Sequence, residues 1–193
     1  MSILFVLGFS ALQAQQNVEK DTLREEATPK FQFFIAPTYS VNQFVETFAS
    51  QVGIAAGIEI KNRIDVSFYY GMVIDDFKKR IIFPTLFTYD QMNGGLYLNY
   101  YFTRNKVKPL VGLGAKYSQI SWWANEGINE EYTDHVIIYD AFIGGIWRIN
   151  DRFSLKADLG YTFSSEVGLI GLRTEDFQGI KFDVAIKIHL LSF

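Results

Sequence analysis

From Val52 to Ile74 every even-numbered residue except Asn62 is apolar, while the odd positions include Gln51, Glu59, Lys61, Arg63 and Asp65. Side chains of a β-strand alternate between two faces, so this stretch reads as two long strands joined by a tight turn around Lys61-Asn62-Arg63. One face of the hairpin is oily for its whole length; the other carries charge and glycine. The apolar face must be buried either in a soluble core or in lipid, and that choice governs everything else the chain can be.

The same period of two recurs to the end of the chain. Eight segments carry it: Phe31 to Ser40, the two arms of the hairpin, Met92 to Phe102, Val107 to Ile120, His135 to Ile149, Arg152 to Phe163, and Gly179 to Leu190. Their connections alternate. Short turns follow the second, fourth and sixth segments, at Lys61-Asn62-Arg63, Thr103 to Lys106, and Asn150-Asp151. Longer loops follow the others: Val41 to Ser50, Asp75 to Gln91, Ser121 to Asp134, and Ser164 to Gln178. Short turns on one rim and long loops on the other are the pattern of an outer-membrane barrel. Asn62 and Asp151 stand where each hairpin turn is expected to need a left-handed backbone.

The predicted fold is therefore an all-β, eight-stranded antiparallel up-and-down transmembrane β-barrel. A closed barrel is the β arrangement that leaves no backbone group unpaired in hydrocarbon. The non-apolar face is rich in small residues, among them Gly53, Gly57, Gly71, Gly95, Gly112, Gly114, Gly144 and Gly160. Small residues mixed with long charged ones suit a crowded lumen. The apolar face is aliphatic in mid-strand and aromatic near both ends, with Phe31, Phe33, Tyr100, Phe102, Trp147 and Phe153 toward the short turns. Tyr117, Trp122, Trp123, Tyr139, Tyr161 and Phe163 lie toward the loops, completing two girdles of the kind bilayer interfaces select. Lumen parity then collects Lys61, Arg63, Lys108, Lys116, Arg148, Arg152, Lys156, Lys181 and Lys187 with Glu59, Asp65, Asp140, Asp158 and Asp183. In a narrow lumen these charges are expected to pair into a structural core rather than form a cationic conduit.

Composition narrows the class further. The 193-residue chain has no cysteine, which removes disulfides and thiolate metal sites; its net charge of -3, with no basic run beyond Lys78-Lys79-Arg80, argues against nucleic acid. The N-terminal MSILFVLGFSALQA is apolar but too short to span a bilayer as a helix, so residues 1–14 read as a signal peptide. Residues 15–30 are polar and charged and read as a periplasmic linker, leaving 31–193 for the barrel.

The stretch Gly95-Leu96-Tyr97-Leu98-Asn99-Tyr100-Tyr101-Phe102, followed by Lys106-Val107-Lys108-Pro109-Leu110-Val111-Gly112-Leu113-Gly114-Ala115, resembles the Bacteroidota outer-membrane β-barrel family that includes PorT-like proteins. Arg152-Phe153-Ser154-Leu155 leading into Gly160-Tyr161, and the terminal Phe193, resemble it too, as they do the small OmpA/OmpX-type barrels. The resemblance implies an outer-membrane location in a Gram-negative envelope and insertion by the barrel-assembly machinery; it carries no shared catalytic residues. Phe193 falls on the wrong parity for lipid, so either a bulge near Leu190-Leu191 or departure of the last residues from the sheet is expected.

Three functions remain. The first is a non-enzymatic barrel with a structural, surface-interaction or secretion-accessory role, in contact with the bilayer and lipopolysaccharide and reaching an envelope partner through loop residues. Candidates are Phe44, Phe48, Phe77, Ile81, Ile82, Phe83, Trp122 and Trp123 beside Glu126, Glu130, Glu131 and Asp134. That acidic group lacks Ca-loop spacing, so no metal or cofactor is expected. The second is a lipid A or phospholipid-modifying enzyme, for which the only histidines are His135, with Ser121 and Asp134 as neighbours, and the inward-facing His189. The third is a small-solute transport barrel. No catalytic residue is assigned.

Overall fold

The computed structural model describes residues 31–44, 47–75, 77–82, 85–124, 131–165, 168 and 173–192. The expected signal peptide, the linker and Phe193 lie outside the described residues. Nine antiparallel strands form one sheet: β1 (Phe31–Phe44), β2 (Thr47–Ile60), β3 (Ile64–Val73), β4 (Phe77–Ile82), β5 (Thr85–Tyr101), β6 (Val107–Ala124), β7 (Glu131–Arg148), β8 (Phe153–Ser164) and β9 (Gly179–Ser192). The order is β3-β2-β1-β9-β8-β7-β6-β5-β4, and a further pairing of β3 with β5 closes the sheet. Eight strands make the wall. No helix among the described residues is long and apolar enough to cross a membrane; crossing falls to the strands.

β4 lies outside the eight-strand reading, and its origin is physical. It pairs Phe77 to Ile82 with the first part of β5, in a region read from sequence as an open loop from Asp75 to Gln91. β6 and β7 likewise stay paired out to Trp123 and Glu131, and β1 and β2 out to Phe44 and Thr47. Backbone pairing continues past the point where alternation fades, because beyond the girdle no apolar face is required and only the ladder of N–H and C=O groups remains to be satisfied.

The opening hairpin folds as its pattern demands. Glu59 pairs with Asp65 and Ile60 with Ile64 across a three-residue turn, in which Lys61 and Asn62 take positive φ of 49° and 56°. The second short turn differs. Asp151 is not among the described residues with positive φ; instead Asn150 Oδ1 accepts from the backbone N–H of both Arg152 and Phe153, at 2.9 Å each. A side-chain acceptor does there what left-handed backbone does at Asn62. At the C-terminus, Phe34 pairs with His189 and Phe33 with Leu191, so Leu190 is an extra residue. This bulge returns Leu191 to the outer face, where both leucines are exposed.

Exposure follows parity. Val52, Ile54, Ile64, Val66, Phe68, Tyr70 and Met72 point outward, while Gln51, Glu59, Asp65, Ser67 and Tyr69 are buried in the lumen. Of the expected girdles, Phe31, Phe33, Tyr100, Phe102, Trp147 and Phe153 are exposed at one rim and Tyr117, Tyr139, Tyr161 and Phe163 toward the other. The side chains of Trp122 and Trp123 lie outside the described ones.

Candidate functional site

The lumen is filled in layers, each set by residues of one parity on several strands. Nearest the short turns, Glu59 on β2 receives Lys187 Nζ at 2.6 Å and Lys108 Nζ at 2.9 Å. Lys187 also reaches Asp65 at 2.9 Å, and the Tyr101 hydroxyl donates to the same Asp65 oxygen at 3.0 Å. Two cations thus meet two anions in a closed group, with Lys187 Nζ 3.9 Å over the Phe34 ring. A second group sits nearer the loops. Asp140 Oδ2 lies 3.0 Å from Lys116 and 2.9 Å from Lys181, takes a hydrogen bond from Tyr97 at 2.5 Å, and its Oδ1 accepts from Thr162 at 2.9 Å. Lys181 extends to Asp183 at 2.7 Å, and Lys156 pairs with Asp158 at 2.8 Å.

Between the ionic layers lies an apolar and aromatic one that the sequence reading did not single out as a core: Phe34, Tyr69, Tyr97, Leu110, Phe142 and Ile146, all buried. The signal was present, since Tyr69, Leu110, Phe142 and Ile146 share parity with the lumen charges on their own strands, and Phe34 and Tyr97 with the buried polar Gln32 and Asn99. The glycines of that parity make it possible. A Cβ at Gly112 would collide with the Phe142 ring, one at Gly114 with Tyr97, and one at Gly71 with Tyr69. Each large ring therefore occupies the space that a side chain at the glycine would fill. A cavity of about 50 Å³ remains beside this layer, bordered by Asp65, Asn99, Asp158 and Asp183, each with an oxygen that takes no hydrogen bond from the protein. Polar and of that size, it has room for bound water.

The lumen charges expected from parity divide accordingly. Lys108, Lys116, Lys156, Lys181 and Lys187 pair with Glu59, Asp65, Asp140, Asp158 and Asp183. Lys61 and Arg152 do not enter: both are exposed in the turns, where parity no longer sets direction. Arg63 is also a correction, since its Nη1 turns toward Tyr100 Oη, 3.4 Å away on the outer face. Arg148 reaches Gln32 at 3.5 Å near the rim.

The residues weighed for catalysis do not assemble. The ring of His135 stacks on Tyr117 on the exposed side of the wall, with centroids 5.1 Å apart. Asp134 is spent on backbone, accepting from the N–H of His135 at 2.7 Å and of Gly168 at 3.0 Å, and Ser121 Oγ lies 3.2 Å from Thr133. His189 does meet a serine, Ser154, at 3.2 Å, but both are buried and His189 Nδ1 has no protein partner. A nucleophile–base pair needs a third group to orient the base and a path for substrate. Neither is formed among the described residues. No group of metal-ligating side chains occurs among them either. Of the loop candidates, Phe48 is exposed, whereas the side chains of Phe44, Phe77, Ile81, Ile82, Phe83, Glu126, Glu130 and Glu131 lie outside the described ones.

The closed antiparallel wall has counterparts among solved structures. The N-terminal β-barrel domain of Pseudomonas aeruginosa OprF is similar with a TM-score of 0.59 at 14% identity, over 84% of this chain and 99% of that one. Neisserial surface protein A gives 0.59 at 15% identity, over 83% and 97%. A major outer membrane protein from Thermus thermophilus gives 0.59 at 11% identity, over 83% and 99%. The fold is that of outer-membrane β-barrels. No protein-family model and no curated protein matches the sequence, so the likeness to the PorT-like family rests on the residues quoted above. At these identities the comparison speaks for the fold alone.

Proposed function

We propose that this chain is a non-conducting, non-enzymatic barrel of the outer membrane, with a structural or surface-interaction role as an envelope or secretion accessory of the PorT-like kind. The observation that carries it is the lumen: five lysines and five carboxylates neutralise one another across its width, in two layers separated by aromatic rings. Charges locked in buried pairs offer no hydrated path through the barrel. The reading includes removal of residues 1–14, a periplasmic linker at 15–30, insertion by the barrel-assembly machinery, and contact with lipopolysaccharide. What the barrel does display is paired strand beyond the girdle, from β1–β2 and β4 through β7, and such projecting sheet is suited to meeting an envelope partner.

The test is conduction of the refolded protein in planar bilayers, with swelling of liposomes in small sugars as a second measure. Folding is verified by a heat-shifted gel band. Unit conductance or swelling above that of empty liposomes would favour the transport reading instead, and a changed lipid A mass on expression the enzymatic one.

A further inference from the structure

On the loop side of the Lys116–Asp140 layer the lumen changes character. Asn42, Gln51, Gln91 and Asn93 project inward from β1, β2 and β5 around a second cavity of about 30 Å³. Over it folds the 3-10 turn Thr174–Phe177, whose Phe177 is buried against the cavity. The turn is tied to the wall where Ser164 Oγ donates to the Thr174 carbonyl at 2.9 Å, and closed on itself where Arg173 N–H donates to Asp176 at 2.8 Å.

Two amides of this ring are incompletely used. Asn42 Nδ2 donates to Gln51 Oε1 at 3.1 Å, which leaves Asn42 Oδ1 and Gln51 Nε2 buried with no protein partner. Gln51 is 2% exposed, so this is a buried orphan rather than a wet surface group. Flipping both amides changes nothing essential: a pair sharing one hydrogen bond always keeps one donor and one acceptor. An occupant must therefore both accept and donate through one small group.

That requirement selects a hydroxyl. An acceptor-only anion would face the Asn42 oxygen, and the cation that lines the cavity, Lys116, is already held 3.0 Å from Asp140. A cation would face the Gln51 N–H. In the closed form the cavity suits a water or two. A sugar hydroxyl reproduces that water's bonding, since it accepts and donates through one oxygen, and Phe177 closes over it. We infer that the amide ring beneath Phe177 is a binding site for neutral saccharide, with the Thr174–Phe177 turn as its lid. This deepens the surface-interaction reading, on which it rests only in taking the loop rim to face outward.

The experiment uses the full chain refolded in a zwitterionic detergent, since glucoside and maltoside detergents would compete, and the probe is maltotriose. Saturable shifts confined to the Asn42 and Gln51 side-chain amide resonances are expected. Phe177→Ala, which removes the lid, should tighten binding roughly tenfold or more if the open form is a minor state. Gln51→Leu should abolish saturation while keeping the heat-shifted band; Asn42→Leu serves if that variant does not fold. No saturable shift in either wild type or Phe177→Ala, undiminished binding by the folded Leu variant, or equal competition by a sulfated sugar each overturns the inference. Conductance is a separate readout, so a failed sugar titration leaves the sealed-barrel reading standing, and an open channel would refute that reading alone.

Discussion

Lys187→Met tests whether the lumen is held by paired charge. Lys187 is fully buried, with Nζ 2.6 Å from Glu59, 2.9 Å from Asp65 and 3.4 Å from the Tyr101 hydroxyl. Methionine keeps most of the volume and removes the charge. Glu59 still has Lys108 at 2.9 Å, but Asp65 keeps only the Tyr101 hydroxyl at 3.0 Å among its described side-chain partners. Removing one partner of a buried ion pair costs about 3–5 kcal/mol. Because Glu59 stays compensated, the lower figure applies, about 3 kcal/mol. With a urea dependence of about 1–3 kcal/mol per molar, the unfolding midpoint in lipid vesicles, followed by tryptophan fluorescence, should fall by roughly 1–3 M. Adding Asp65→Asn removes the stranded charge, so the double variant should be more stable than the sum of the singles predicts, by about 1–3 kcal/mol. A single variant with an unchanged midpoint, or a double variant additive or worse, would refute the view that these charges are desolvated and coupled.

Other expectations follow from the wall and the turns. Leu113→Arg, at an outward mid-strand position, should cost roughly 2–4 kcal/mol in vesicle refolding, whereas Val107→Arg at the rim should cost about 0–1 kcal/mol. Gly112→Val should lose about 1–3 kcal/mol, because its side chain must displace the Phe142 ring; the same melt with Phe142→Ala added should show partial relief. Asn62→Gly should leave the urea midpoint unchanged or raise it, while Asn62→Val should lower the stability read from the same melt by about 1–2 kcal/mol, since φ there is 56°. Asn150→Ala should cost about 1 kcal/mol through loss of its two backbone hydrogen bonds, and Asp151→Gly should bring no gain in the same assay.

Much of the wall was legible in residue order. The Val52 to Ile74 alternation, the recurrence of that period, and the alternation of short and long connections required a closed barrel with its apolar face outward, and the register bears this out strand by strand. The Leu190 bulge was also foreseeable, as one of two ways to reconcile the parity of Ile188 and Leu190 with the chain end. β4 was not, because outside the apolar band a strand needs only its backbone ladder, and periodicity carries no information about that. The turn at Asn150 misled for a similar reason: two turns with like composition satisfy the same backbone by different means, left-handed φ in one and a side-chain acceptor in the other.

Within the strands parity determined which side chains enter the lumen, since a strand can offer only two faces and lipid accepts only one of them; at the turns it failed for Lys61, Arg63 and Arg152. It could not determine whom they meet. Lys187 and Glu59 are separated by 128 positions, and their contact exists only because closure brings β9 and β2 to opposite sides of β1. The β5–β6 register set Tyr97 over Gly114, the β3–β5 pairing put Tyr100 beside Arg63, and the closed wall placed Phe177 above Asn42 and Gln51. Face is a local property of a strand; partnership in a narrow lumen depends on strand order, stagger and the space each glycine leaves, and these belong to the closed barrel.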